Sequence, residues 1–78
     1  MSKMEELADE LALDALDLEE RTGDETVSKK IGDALGSSSP TFEETFLTAV
    51  RIRRAERRAR RLVESLKSGG PAPKLPPK

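Results

Sequence analysis

The chain has 78 residues, 37% of them charged and 35% hydrophobic, with no cysteine and no histidine. That bounds it to one small domain without disulfides, thiolate metal sites or an imidazole to act as base or ligand. Formal net charge is only −1, but residues 1–33 carry eleven acids and four bases (net −7), and residues 34–78 carry four acids and ten bases (net +6).

The first helix is expected over about 2–21. Ser2 and Glu5 form an S-x-x-E capping box, and Gly23 suits a left-handed position after the last turn. Met4, Leu7, Ala8, Leu11, Ala15 and Leu18 recur at helical spacing on one stripe about 100° wide. Glu6, Asp9, Glu10, Asp14, Asp17 and Glu20 fill most of the remaining surface, with Leu13 amid the acids and Leu16 on their flank. Leu13 with Leu16, rimmed by acids, reads as a small docking patch for a basic partner. The carboxylates have neither EF-hand loop geometry nor histidine companions, so no metal is expected.

A short second helix is expected over about 24–35. Asp24 is its N-cap, Val27, Ile31, Ala34 and Leu35 its apolar face, and Gly36 its end. Gly32 within it weakens the helix by about 1 kcal/mol relative to alanine, and its small size lets another helix come close.

GSSSPT is a turn containing two overlapping start signals: Ser39 before Pro40, and a second capping box, Thr41 with Glu44. A long amphipathic third helix then runs without interruption over about 40–67. Its first half gathers Phe42, Phe46, Ala49 and Val50 on one face, with Leu47 beside them. Its second half gathers Ile52, Ala55, Ala59, Leu62, Val63 and Leu66 on another, roughly 140° away around the axis. The series 52, 55, 59, 62, 66 has the alternating three-four spacing of a coiled-coil seam. Thus one helix carries two apolar faces, and a chain this small has little left to cover the second.

From Ser68 the chain reads SGGPAPKLPPK. Paired glycines and repeated prolines predict a disordered, Pro-rich tail over 68–78. PKLPPK matches a PxxPx[K/R] ligand pattern of SH3 domains, which is short enough to occur by chance.

The segment Arg51–Arg61, RIRRAERRARR, has seven arginines in eleven residues. On a helical wheel Arg51, Arg54, Arg58 and Arg61 lie within about 80° of one another, and Arg53, Arg57 and Arg60 lie beside them within about 60°. Together they leave the apolar seam clear. One reading sets these arginines on nucleic-acid phosphates, through bidentate, salt-dependent contacts. Against it stand the sequence pI near 5.5, the competing carboxylates of the first helix, and few Asn, Gln or Lys residues in the third helix to read bases. The two aromatics, Phe42 and Phe46, make no base-stacking platform. The stretch VSKKIGDALGSSSPTFEETF resembles a helix-turn-helix, but Glu43 and Glu44 then stand where phosphates would lie. A basic membrane-surface helix is disfavoured by an alanine-rich apolar face without Trp or Phe. The other reading sets the arginines on carboxylates of the same chain, a second copy or an acidic partner.

The expectation is therefore an all-α, three-helix domain: a helical hairpin against the start of a long third helix. With no histidine, cysteine, tyrosine or glycine-rich phosphate loop, an enzyme, a cofactor and a small-molecule substrate are not expected. No window approaches the roughly 20 apolar residues of a membrane span, and the acidic N-terminus is wrong for a targeting peptide, so a cytoplasmic protein is expected. The expected function is a protein-interaction module, a regulator or adaptor that binds a second copy or a protein partner. Its expected contact residues are the seam Ile52, Ala55, Ala59, Leu62 and Leu66, the charge-selective face Arg51, Arg54, Arg58 and Arg61, and Leu13. The alternative is a nucleic-acid-binding transcriptional regulator using the same arginines.

Overall fold

The computed structural model describes residues 1–69. Three helices, α1 (Lys3–Thr22), α2 (Val27–Gly36) and α3 (Pro40–Lys67), form an all-α domain in which a short tight pair packs on a longer third helix. The expected tail lies outside the described residues from Gly70 onward.

The start of α1 is the expected capping box. Ser2 Oγ accepts from the Glu5 N–H at 3.1 Å, and Glu5 Oε1 accepts from the Ser2 N–H at 3.0 Å. The backbone hydrogen bond from Ser2 holds the Glu5 carboxyl below its ordinary range. Gly23, at φ +74°, closes the helix and donates its N–H to Glu19 O at 2.8 Å. A side chain rarely tolerates that backbone conformation, which is why glycine stands there.

The second helix starts later than expected. Asp24 is not its N-cap. Its carboxylate instead accepts from Thr26 N at 2.9 Å and Thr26 Oγ1 at 2.6 Å, folding the link between α1 and α2 into a turn. These two bonds, with Lys30 at 3.3 Å, hold the Asp24 carboxyl at about 2. Thr26 is then the N-cap and makes no side-chain capping bond.

Of the two start signals before α3, Ser39–Pro40 is the one used. Ser39 Oγ accepts from Phe42 N at 3.1 Å, and Pro40 occupies the first turn. Thr41 lies inside the helix, its carbonyl accepting from Thr45 Oγ1. The helix is continuous for 28 residues, about 42 Å at 1.5 Å per residue. That is most of the domain's 47 Å long axis.

The core joins all three helices: Ala8, Ala12, Ala15 and Leu16 from α1, Val27 from α2, and Phe46 and Val50 from α3. Leu11, Ile31, Leu35, Phe42, Leu47 and Ala49 are partly buried and pack at its edge. Phe46 is the largest side chain fully removed from water, and three α1 alanines with no exposed surface let α3 lie close against it. Gly32 allows the same approach on α2, because a Cβ there would sit 3.3 Å from Leu47 Cδ2.

The face that α1 buries differs from the expected stripe. Ala8, Ala12, Ala15 and Leu16 are buried, whereas Leu7 and Leu18 are each 38% exposed, a rotation of about 75° at 100° per residue. The physical reason lies in what α3 offers. Its packed side carries Phe46 and Val50 and, a turn further on, arginines, so the helix presents alanines to that side and keeps Asp9 and Glu19 at the edges of contact. The connections also fix direction. Thr45 meets Met4, Arg53 meets Asp9 and Arg57 meets Asp17, so α1 and α3 run the same way and α2 returns between them. The contact with α1 thus reaches past the start of α3 into the arginine run.

Candidate functional site

Arginines 53, 54 and 57 point back to α1. Arg53 grips Asp9 with both arms, Nε to Oδ1 at 2.8 Å and Nη2 to Oδ2 at 2.6 Å, and reaches Glu56 Oε1 with Nη1 at 2.9 Å. The two arms hold the Asp9 carboxyl below its ordinary range and raise Arg53 further above its own. Arg57 spans Asp17 at 2.8 Å and Glu20 at 3.1 Å, which raises its own pKa in turn, the bond to Asp17 being the larger cause.

Arg54 reaches the residue that organises the domain. Glu19 Oε1 accepts from Arg54 Nη2 at 3.0 Å, and Glu19 Oε2 accepts from the backbone N–H of Ser28 at 2.9 Å. Ser28 is in the first turn of α2, so a carboxylate from α1 supplies the cap that Thr26 lacks, at the positive end of the helix dipole. The Glu19 side chain is 10% exposed. Burial pushes its pKa up, but the Ser28 N–H and the Arg54 guanidinium outweigh that and hold it below the ordinary range. Sequence reasoning misses Glu19 because it sits among eight acids of α1 with nothing local to distinguish it.

The other arginines of the run remain in solvent. Arg51, Arg58 and Arg61 are exposed and make no ion pair among the described residues. Arg60 pairs only within its own helix, with Glu56 Oε2 at 2.8 Å. Between these cations lies the seam. Ile52 is 62% exposed, Leu66 55% and Val63 47%, Ala55 and Ala59 are exposed, and Leu62 is half-buried. Beyond Val50 no residue of α3 is buried, and its last ten residues lie beyond Arg57, the last to make an ion pair with α1. Toward its N-terminal end the seam opens into a groove of about 620 Å³ against α1, lined by Met1, Glu5, Thr45, Thr48, Ala49 and Ile52.

The expected contact residues thus divide. Ile52, Ala55, Ala59 and Leu66 share the outer side of α3, with Leu62, Arg51 and Arg58 at its border, whereas Arg61 lies over Arg54 and Arg57 and lines a cavity with Leu16, Glu19 and Glu20 of α1. Arg54 is partly spent on Glu19 inside the domain. Leu13 is half-buried, and Leu16 beside it is 5% exposed in the core, so the two do not form a surface patch. The α2–turn–α3 segment that resembles a helix-turn-helix has Glu43 on its inner side, its carboxylate lying over Gly36. Among the described residues no group of three or more acids is arranged to hold a metal ion, and no helix is long and apolar enough to cross a membrane. Comparison with protein-family models, curated proteins and solved structures finds no match.

Proposed function

We propose that this chain is a non-enzymatic protein-interaction module, regulatory or adaptor-like, that docks through the outer side of α3. The observation that carries this reading is the location of its exposed apolar surface. Six large apolar side chains are exposed among the described residues, and three of them, Ile52, Val63 and Leu66, lie on one side of α3. Two of the three, Val63 and Leu66, lie beyond Arg57, the last α3 residue to pair with α1. Scattered apolar residues on a surface are ordinary, but a row at seam spacing on an uncovered helix has the form of a helix-docking edge. The arginines beside the row add charge selection more than affinity.

The nucleic-acid reading draws on the row Arg51, Arg58 and Arg61. It is weakened by the diversion of Arg53, Arg54 and Arg57 onto α1 carboxylates, which removes three of the seven cations from any phosphate track. A photo-crosslinking residue at Ala59, with one at Ser38 as control, tests both readings in the cells that make the protein. The expected result is a protein adduct from position 59 and none from position 38. Adducts to nucleic acid alone, or none, overturn the proposal.

A further inference from the structure

We infer that the occupant of the α3 seam is α1 of a second copy of this chain, a reading that rests on the docking role proposed for the seam. Apart from Met1, every large apolar side chain exposed among the described residues falls on one of two helix faces: Leu7 and Leu18 on α1, and Ile52, Val63 and Leu66 on α3. The α1 face has seam spacing too, since Leu7, Leu11, Asp14 and Leu18 step by four, three and four. The charges beside the two faces are opposite. Glu6, Glu10 and Asp14 make no ion pair among the described residues, and neither do Arg51, Arg58 and Arg61. Each set is what the other lacks.

The side of each seam on which the charges stand selects an orientation. On α1 one flank is turned into the core through Ala8 and Ala15, and the other carries Glu10 and Asp17. On α3 one flank carries Arg51 and Arg58, and the other Glu56, already held by Arg53 and Arg60. Antiparallel packing brings these two charged flanks together, placing Arg58 opposite the unpaired Glu10 of the second copy and Arg51 near Asp17, whose carboxylate Arg57 of its own chain already holds at 2.8 Å. Both pairs are seven residues apart, about 10.5 Å along each helix. In that register Ala55 and Ala59 face Leu11 and Leu7 of the second copy, small against large. Parallel packing sets Glu10 and Asp17 beside Glu56 instead. Joining two α3 seams antiparallel about Ala59 sets Arg58 against Arg58. Each chain carries both faces, so the contact closes as a two-fold pair where Arg58 meets Glu10 and Glu10 meets Arg58 together, and otherwise propagates into rings or short chains.

The test uses the full-length chain and two variants. R51E/R58E reverses the charge of the α3 face, and E10K/D14K that of the α1 face; all four residues are exposed, and circular dichroism checks that the helices remain. Light scattering of the wild type is expected to rise above the 8.6 kDa monomer as concentration increases. Each variant alone is expected to associate about tenfold or more weakly. Mixed, the two are expected to regain association, because E10K/D14K keeps an intact α3 face for the intact α1 face of R51E/R58E, and the two reversed faces are again opposite in charge. The single changes R58E and E10K provide the same test if either double variant loses its helices. A wild type that stays monomeric, an E10K/D14K that self-associates like the wild type, or a mixture with no complex overturns the inference. If the Ala59 crosslink then captures a different protein, the docking role survives without self-association; if it captures nothing, both fall.

Discussion

Glu19 is the residue whose loss this structure predicts most sharply. Glu19→Ala removes the acceptor for the Ser28 N–H and the partner of Arg54. Loss of a helix cap costs about 0.5–2 kcal/mol. Ser28 is only 4% exposed, so its stranded N–H has little access to water, and the upper part of that range applies. The Arg54 pair, more exposed, adds about 0–1 kcal/mol. The expected total is about 2–3 kcal/mol. A single core in a domain this small rarely supplies more than about 3–5 kcal/mol, so the variant loses half or more of its stability. The midpoint falls by roughly 10–20 °C at about 4–8 °C per kcal/mol. The control is Glu20→Ala: its side chain is 62% exposed and meets only Arg57, so it changes stability by less than about 1 kcal/mol. Glu19→Gln keeps a neutral acceptor and falls between the two. Thermal and urea melts followed by helical circular dichroism decide the matter. Equal midpoints for Glu19→Ala and Glu20→Ala refute the capping role.

Acid weakens the fold in a defined direction. Asp9 and Glu19 are held below their ordinary values of 3.8 and 4.5, so their contribution is fully present above those values and drains as pH falls through the lower folded-state ones. Urea melts are expected to give constant stability from about pH 6 to 8 and a steep decline below about pH 4, with the gap between wild type and Glu19→Gln closing in acid. Gly32→Ala gains helix propensity of up to about 1 kcal/mol, but must displace the Leu47 tip from 3.3 Å, so its melting midpoint stays near the wild type's. Gly32→Leu at the same place forces α2 off α3 and loses several kcal/mol. Amide hydrogen exchange is expected to be slow from Phe46 to Arg57 and progressively faster through Lys67, since no residue beyond Val50 is buried and none beyond Arg57 pairs with an α1 carboxylate; uniform protection along α3 contradicts a loosely held end.

Local features were the legible ones. The Ser2–Glu5 box, the left-handed Gly23, Ser39 before Pro40 and the Phe46–Val50 face all depend on neighbours within a turn, and each is where the sequence puts it. What depends on a partner helix was not. Hydrophobicity ranks Leu7 and Leu18 above Ala12, yet Ala12 is buried, because closeness to Phe46 selects volume over transfer energy. Asp24 is a sound N-cap in isolation, but a carboxylate from α1 reaches the first turn of α2 and displaces the boundary to Val27. The wheel separates the seam from the arginines, and only the packing of α1 reveals that Arg53, Arg54 and Arg57 turn inward while Arg51, Arg58 and Arg61 do not.

That division has an electrostatic cause beyond simple pairing. Because α1 and α3 run the same way, their dipoles lie side by side with like ends together, which opposes their packing. α1 has only Arg21 as a cation in its own last turn. Arg54 and Arg57 come from α3 to the carboxylates Asp17, Glu19 and Glu20 at that end, adding two cations where the negative pole of α1 is strongest. An arginine run lying across the end of α1 therefore lets a parallel pair form. A helix has more than one side, however, and a run dense enough to reach α1 with three guanidiniums leaves others pointing away. Arg51 and Arg58 are that remainder, and they border the large stretch of α3 that the domain leaves uncovered. The domain thus neutralises the acidic flank of α1 that faces α3, and leaves an acidic face on α1 and a basic one on α3 directed outward.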